Sequence, residues 1–522
     1  MEKTTSKKSE GHDGQSLDNG ALEQLQPSLQ FSPEAEKKLV RKIDFMILPI
    51  MAFAYLMAFL DKQTLNYSAL MGIQQDLHLV GSQYSWTSGI FYFGYLFFSY
   101  VYLSLPKNDL LFPNYFNLGH DSYPASLLMV KFPLGKYLAI NFMLWAIILA
   151  CHAATKNFAT FMVTRFFLGC TEASLSPGFT LLTSLWHRTS EQPLRSGIWF
   201  CGNSLSLVFG NLIAAGIIHI KSKLEAWQWL FIIFGIITFL FGILMLLRLP
   251  DSPSNATFLT EEERMIAVER LRDNKIGFKN THIDRQQIIE AFTDGQTWLL
   301  AILMFSVNIA NGGFTTFNGL VLKGFGFNTF HTLLLGLPGG IIVCIFVLIS
   351  GAVSSKVRHS RCIVMIVMFL ISILGSALVY AGPNIAARYA GLLFMGVYSA
   401  SMPVSMAMIS SNVGGFTKRA TISSIFFIMY CAGNIVGPQL FFAKEAPKYQ
   451  SGFLAIIICL AVCVFDSLLL LVYLKRENSR RDRIETSSDS PGPDPGKQAE
   501  GDIQNMLQDI TDKKNDQFRY VY

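Results

Sequence analysis

The sequence predicts an all-α membrane protein with twelve transmembrane helices in two pseudo-symmetric six-helix bundles. Of its 522 residues, 51% are hydrophobic and only 15% are Asp, Glu, Lys or Arg, whereas soluble domains contain about 25% charged residues. The apolar residues form twelve long runs, and one long polar segment, 249–295, separates the first six from the last six. This composition excludes a disordered chain, a coiled coil and a disulfide-rich secreted domain.

Each apolar run is a candidate membrane span, because a helix needs roughly 20 apolar residues to cross ~30 Å of hydrocarbon. Two groups of six such runs are typical of transporters built from two repeated halves with a substrate site between them. In chain order, the predicted spans are 43–63, 84–105, 137–153, 157–182, 197–219, 227–248, 296–320, 329–353, 362–382, 387–411, 421–442 and 451–474.

Lys and Arg residues in the loops predict the orientation, because they are enriched on the cytoplasmic side. With the N-terminus in the cytoplasm, the inner loops contain sixteen Lys and Arg residues and the outer loops seven. We therefore expect a multi-pass protein of the plasma membrane with both termini in the cytoplasm. Its expected parts are an N-terminal tail (1–42), two bundles (43–248 and 296–474), a cytoplasmic central loop (249–295) and a C-terminal tail (475–522). In the central loop, Thr260 and Glu263 have the spacing of a capping box and predict a short helix.

Few charged residues fall within the spans, and these are functional candidates because a charge at membrane depth is costly. The first span ends in Asp61 and Lys62, and the fourth contains Arg165 and Glu172 on one helical face, two turns apart. We predict that these four charges form two acid–base pairs around a central cavity. Lys62 and Arg165 would bind an anionic substrate. Asp61 and Glu172 would exchange protons, because a partly dry cavity disfavours the charged carboxylate.

Other interpretations of these charges stay open at this stage. Asp61 and Lys62 could end the first helix at the outer membrane interface, with the Lys62 ammonium reaching water. Arg165 and Glu172 could form a structural ion pair that locks helices together. Asp466, on the peripheral twelfth span, fits a rim or packing role better than substrate contact.

Two asparagines complete the candidate substrate-binding set. Asn311 precedes Gly-Gly in the seventh span, and Asn434 lies in a Gly-Asn-Ile-Val-Gly-Pro sequence in the eleventh. Gly-Gly and Gly-Pro can break helices beside a cavity, where Asn side chains would bind a polar ligand. Small residues equally allow close helix packing, and the sequence does not decide between the two.

The segment 101–123 interrupts the second span and cannot cross lipid, since it contains two prolines, two Asp, a Lys, a His and three Asn. Its removal would restore an apolar run that joins Tyr100 to Pro124. We hypothesise that 101–123 is a non-native insertion in the second helix, translated from a retained intron. The alternative is a genuine loop that the fold extrudes on the cytoplasmic side.

Several stretches of the sequence, taken in order, resemble the fungal allantoate permease family, in the anion:cation symporter branch of the major facilitator superfamily. The resemblance covers nearly the whole chain. The stretches are DKQTLNYS (61–68), QYSWTSGIFYFGYL (83–96), FPLGKYL (132–138), TRFFLGCTEASLSPG (164–178), NGGFTTFNGLVLKGFGF (311–327), NVGGFTKR (412–419), GNIVGPQLF (433–441) and DITDKKNDQFRY (509–520).

The resemblance implies the twelve-helix major facilitator fold and proton-coupled uptake of organic anions such as ureides, small peptides or nicotinate. It also implies proton coupling through Asp61 and Glu172 and anion binding by Lys62 and Arg165. Lys62 departs from the Arg that relatives often have beside the first Asp.

We therefore expect a carrier of a small organic anion that works with protons in the lipid bilayer as a functional monomer, without cofactor, metal or nucleic acid. The histidines and cysteines lack metal-site or catalytic spacing, so an enzyme is not expected. The alternatives are a proton-antiport exporter of a toxin or secondary metabolite and a non-transporting nutrient sensor.

Overall fold

The computed structural model describes residues 32–100, 132–188, 191–272, 284–357, 359–487, 510–515 and 517–522. Within these ranges the chain is helical and has no β-strand. The α-helices are α1 (Pro33–Leu70), α2 (Ile73–Asp76), α3 (Gln83–Tyr100), α4 (Leu134–Cys151), α5 (Phe158–Glu172), α6 (Leu175–Trp186), α7 (Gln192–Phe200), α8 (Gly202–Ile217), α9 (Ala226–Arg248), α10 (Glu261–Arg272), α11 (Arg285–Thr293), α12 (Gly295–Lys323), α13 (Thr329–Lys356), α14 (Arg361–Ala381), α15 (Ile385–Met395), α16 (Met402–Asn412), α17 (Phe416–Gln439) and α18 (Gln450–Ser487).

The predicted spans fall on these helices. The fourth, fifth and tenth spans are each built from two consecutive helices, α5 with α6, α7 with α8, and α15 with α16. Among the described residues, ten segments are long and apolar enough to cross a membrane. The second and fourth predicted spans are not among these ten. The second is α3, of which 18 residues are described, and the fourth is the α5–α6 pair, which is interrupted at Ala173 and Ser174. The hypothesised insertion 101–123 lies outside the described residues.

The two halves of the molecule repeat the same helix packing. In the first half, α1 packs on α8, α3 on α5 and α4 on α9. The corresponding pairs in the second half are α12 on α17, α13 on α15 and α14 on α18. Contacts between the halves follow the same symmetry, since α3 meets α17, α8 meets α13, and α1 meets α12. This packing is that of two structural repeats related by a pseudo-two-fold axis.

Hydrogen bonds join the halves at the end of the bundle where α1 and α12 finish. The Tyr84 hydroxyl donates to the Thr316 carbonyl oxygen over 2.9 Å, and the Ser88 and Thr316 hydroxyl oxygens lie 3.0 Å apart. Asn66 Oδ1 accepts a hydrogen bond from the Gly319 amide over 3.1 Å. These side chains hold the first half against the second at this end.

The two helices of the central segment attach to different halves. The predicted capping box at the start of α10 is confirmed, because the Glu263 amide donates to Thr260 Oγ1 over 3.2 Å and the Thr260 amide donates to Glu263 Oε2 over 3.0 Å. Ion pairs from Lys42 to Glu263 and from Arg270 to Glu191 tie α10 to the first half. Helix α11 packs on α17 of the second half.

Candidate substrate and proton site

Asp61 and Lys62 lie inside α1 rather than at its end. The helix continues nine residues beyond Asp61, to Leu70, and the Asp61 side chain is completely buried. The alternative that the two residues end the helix at a membrane interface is therefore wrong. They lie two turns or more before the end of a helix that contacts both halves.

One of the two predicted acid–base pairs is present, between α1 and α5. Lys62 Nζ lies 2.5 Å from Glu172 Oε1, and the side chains are 20% and 3% exposed. The other carboxylate oxygen, Glu172 Oε2, has no hydrogen-bond partner among the described residues. Glu172 therefore pairs with α1 and not with Arg165 on its own helix, contrary to the alternative of a structural Arg165–Glu172 pair.

The second predicted pair is not joined by a hydrogen bond. The Arg165 guanidinium lies 5.4 Å from the ring centre of Phe161 and 5.9 Å from that of Phe231. In the described part of the chain, its Nε and Nη2 atoms and both carboxylate oxygens of Asp61 have no hydrogen-bond partner. A buried charge without a partner destabilises a protein by several kcal/mol. Asp61 and Arg165 are thus the least satisfied polar groups near the Lys62–Glu172 pair.

A very close helix crossing sets the position of Arg165 and Glu172. A Cβ atom added to Gly169 would lie 1.9 Å from the Phe91 carbonyl oxygen, and one added to Gly94 would lie 2.0 Å from the Phe166 carbonyl oxygen. Only glycine allows α3 and α5 to approach this closely. Because Gly169 stands between Arg165 and Glu172 in sequence, the crossing fixes both charged residues relative to α3.

Tyrosines from both halves lie near the Lys62–Glu172 pair, and none of them is among the residues that the sequence singles out. Tyr92 and Tyr95 from α3 and Tyr430 from α17 lie close enough to the Lys62 ammonium to interact with it electrostatically. The rings of Tyr92 and Tyr430 are 5.9 Å apart, so both halves contribute to this group. Tyr55 of α1 joins it, with its hydroxyl oxygen 2.8 Å from Ser176 Oγ. The three-residue spacing of Tyr92 and Tyr95 is the only sequence signal that could have indicated a shared face.

Asn311 and Asn434 form part of a hydrogen-bonded chain in the second half. Asn311 Nδ2 donates to Asn434 Oδ1 over 2.8 Å, and Asn434 Nδ2 donates to Asn308 Oδ1 over 2.9 Å. The Tyr398 hydroxyl donates to Asn311 Oδ1 over 3.1 Å. Asn434 is fully buried and Asn311 is half-buried, so of the two, Asn311 is the more accessible to a ligand.

The glycines beside these asparagines serve helix packing. Helices α12 and α17 are continuous through the Gly-Gly and Gly-Pro sequences. A Cβ atom on Gly433 would lie 2.5 Å from the Phe305 carbonyl oxygen, and one on Gly437 would lie 2.3 Å from that of Ile309. Of the two interpretations that the sequence left open, close packing describes these glycines. Asp466 lies apart from this region, buried on α18 near Cys362 and Cys463.

Comparisons with known proteins agree with this architecture. The profile described as Major Facilitator Superfamily matches residues 122–438. The chain is 37% identical to the uncharacterized transporter C417.10 of Schizosaccharomyces pombe, over 94% of this chain and 91% of that protein. It is 36% identical to the allantoate permease of Saccharomyces cerevisiae, over 94% and 88% of the two chains. Among solved structures, the xylose transporter XylE from E. coli, in a partially occluded inward open conformation, aligns with a TM-score of 0.60 at 12% identity, covering 82% of this chain and 98% of XylE. The predicted twelve-helix fold class is confirmed.

Proposed function

The chain belongs to the major facilitator superfamily, and from this premise we propose that it is a carrier that takes up a small organic anion together with protons by alternating access. The predicted resemblance to the fungal allantoate permeases is confirmed by the match along nearly the whole chain. Members of this superfamily are transporters and not enzymes, and this chain is a multi-pass membrane protein. The proton, the class of anion and the direction of transport are the parts that we propose.

The observation that carries the proposal is the contact between Lys62 and Glu172. A substrate carboxylate that approaches Lys62 competes with the Glu172 carboxylate for the same ammonium group. Protonation of Glu172 removes its negative charge, weakens its hold on Lys62 and leaves the ammonium to the substrate. Binding of the anion to Lys62 and binding of the proton to Glu172 thereby favour each other.

Arg165 and Asp61 provide the second step of the proposed cycle. Arg165 has unsatisfied N–H groups that can hold a carboxylate by two bonds. The substrate then lies between Lys62 and Arg165, while protons occupy Glu172 and Asp61. After the two halves rock, loss of the protons restores the Lys62–Glu172 pair and expels the anion.

For the substrate we propose a carboxylate with further polar groups, such as allantoate or another ureide, a dipeptide or nicotinate. The allantoate permease of Saccharomyces cerevisiae is a relative over most of its length. Asn311, which is hydrogen-bonded to Asn434, offers neutral hydrogen-bonding groups from the second half. The substrate would thus meet charged groups on the first half and uncharged polar groups on the second.

The proposal also covers the membrane, the oligomeric state and the orientation of the carrier. We propose that it works as a monomer in the plasma membrane with both termini in the cytoplasm. The excess of Lys and Arg in the inner loops supports this placement of the termini. We also propose the division into bundles 43–248 and 296–474 that the sequence predicts.

Uptake by the purified chain in liposomes tests the proposal. Labelled allantoate, nicotinate or a dipeptide is supplied outside at acidic pH, with a neutral lumen. We expect at least one of these anions to accumulate above its outside concentration and to stop accumulating when the pH gradient is collapsed. Proton-driven loss of the anion from loaded liposomes would instead identify an exporter, and saturable binding without flux would identify a sensor.

A further inference from the structure

The C-terminal segment, residues 510–515 and 517–522, lies against one end of the second half, and its contacts involve none of the candidate substrate and proton residues. It touches α11, the turn between α16 and α17, and the extended α18. The ring of Tyr522 stacks on His359 in the turn before α14, with the ring centres 4.3 Å apart. The segment thus connects elements that are distant in sequence.

Asp512 is the charged anchor of the segment. Its Oδ1 atom lies 2.7 Å from Lys418 Nζ and accepts a hydrogen bond from the Gly414 amide over 3.1 Å. Lys418 is fully buried and also contacts Glu290 and Asp294 at 2.9 and 2.8 Å. A Cβ atom on Gly414 would lie 2.5 Å from the Asp512 amide nitrogen. The absence of a side chain at Gly414 therefore allows the backbone of the segment to approach this turn.

Two asparagines recognise consecutive peptide units of the segment. Asn478 donates to the Tyr520 carbonyl oxygen and accepts from the Tyr520 amide, both over 2.9 Å. Asn412 forms the same pair of bonds with Val521, both over 2.8 Å. Paired bonds of this kind satisfy the backbone as a neighbouring β-strand would, and they hold the segment extended.

Arg481, on α18, makes further contacts with the C-terminal segment. Although it is an arginine in the polar final turns of α18, it is only 1% exposed. Its guanidinium donates to the carbonyl oxygens of Asp512 and Phe518 over 2.9 and 2.6 Å. It also lies over the Tyr520 ring at 4.5 Å and donates to the Tyr520 hydroxyl. The Tyr520 hydroxyl in turn donates to Asp512 Oδ2 over 2.7 Å. This bond links Asp512, which contacts Lys418, to Tyr520, which contacts Arg481.

We propose that this end of the second half is a peptide-recognition site and that its ligand is the chain's own C-terminal segment, 510–522. The site selects an acidic residue for Lys418, a tyrosine eight positions later for Arg481, and an extended backbone for Asn412 and Asn478. When occupied, it holds the ends of α11, α16, α17 and α18 together, so that the second half moves as one body. This role does not depend on which substrate the carrier takes.

Hydrogen–deuterium exchange on the purified full-length carrier tests the proposal. We expect the amides of Tyr520 and Val521 to exchange slowly. The double variant Asn412→Ala with Asn478→Ala should raise their exchange rate about tenfold or more, because the four hydrogen bonds to the Tyr520 and Val521 backbone are lost. Lys514→Ala, at an exposed position of the same segment, is the matched control and should change nothing.

The variant Asp512→Asn provides a second test that keeps the size of the side chain. It removes the charge that faces Lys418, so exchange at Tyr520 and Val521 should also rise. Fast exchange of these two amides in the unmodified carrier, or unchanged slow exchange in both the double variant and Asp512→Asn, would overturn the proposal.

Discussion

At the scale of single residues, the four charged residues of the candidate site divide into the Lys62–Glu172 ion pair and the Asp61 and Arg165 side chains, which no hydrogen bond joins in the described chain. Lys62 and Glu172 neutralise each other over 2.5 Å, whereas both Asp61 carboxylate oxygens and two Arg165 nitrogens have no hydrogen-bond partner in the described chain. The Lys62–Glu172 ion pair must open before either residue can bind a ligand. The unbonded groups of Asp61 and Arg165 can bind one directly. The two pairs therefore have different places in the proposed cycle, and single substitutions should separate them.

We predict that Arg165→Lys folds and reaches the membrane but loses most transport. Lysine keeps the positive charge but replaces the two-bond fork by a single point of contact. The loss of one charge-assisted bond is worth about 1.5–3 kcal/mol, or roughly a ten- to hundredfold weaker affinity. Initial uptake rates across a range of anion concentrations measure this loss as a raised KM.

Arg388→Lys is the matched control, because Arg388 lies outside the site and bonds to the Gly382 carbonyl oxygen. Uptake by this control should stay near that of the unmodified carrier. If Arg165→Lys were delivered normally and transported with unchanged KM, Arg165 would not be a substrate-binding residue.

The residue types of the site could be predicted from the sequence, but their partners could not. A charge inside a membrane span stands out because it is costly there, so Asp61, Lys62, Arg165 and Glu172 are visible in the sequence. That Glu172 pairs with Lys62 depends on how α1 and α5 are rotated against each other, and no local pattern encodes this. The sequence does not distinguish Tyr92 from other aromatic residues, because these make up 13% of the chain.

At the scale of helices, the crossing of α3 and α5 positions the site. The two helices touch backbone to backbone at Gly94 and Gly169. The sequence showed the small residues but not their partners, because a glycine in an apolar run is equally compatible with a break, a turn or a close contact. The same uncertainty applied to the α12–α17 pair, where the glycines proved to be packing residues.

We predict that Gly169→Ala destabilises the carrier by about 1–3 kcal/mol, since the new methyl group meets the Phe91 carbonyl oxygen and forces the helices apart. Gly216→Ala is the matched control, because a Cβ atom there would meet nothing within 4 Å. Thermal unfolding in detergent, followed by tryptophan fluorescence, compares the two variants. Equal midpoints for both would mean that the crossing tolerates a side chain.

The second helix also carries the prediction about residues 101–123. With these residues removed, the run from Tyr84 to Val130 becomes continuous and long enough for a span. We therefore predict that sequencing of the transcript will show a dominant message without the 69 nucleotides that encode them. A dominant message that retains all 69 would refute the retained intron, and the segment would then be a genuine loop.

At the scale of the whole molecule, alternating access requires the contacts between the halves to open. The halves meet through symmetric helix pairs and are hydrogen-bonded where Tyr84 and Ser88 reach Thr316. The sequence predicted two halves from the six-plus-six pattern. It could not predict which ends touch, because that depends on the conformational state and not on local composition.

We predict that a disulfide between cysteines introduced at Ser88 and Thr316 stops transport, because it prevents the halves from separating at this end. Activity should return on reduction. The two single-cysteine variants, treated with the same oxidant, are the controls for the eight native cysteines. Full uptake by a completely cross-linked carrier would mean that this end does not open during the cycle.

The claim that one ammonium group couples the anion to the proton is tested most directly by proton movement in liposomes with a pH-sensitive dye inside. When allantoate, or whichever anion of the panel is transported, is added without an imposed gradient, the unmodified carrier should acidify the lumen. Glu172→Gln should exchange labelled anion across the membrane with clearly less acidification per anion than the unmodified carrier, because glutamine imitates only the protonated carboxyl group and leaves Asp61 as the remaining proton site. Glu261→Gln, at an exposed acid, should behave like the unmodified carrier. Acidification by Glu172→Gln equal to that of the unmodified carrier would contradict the claim.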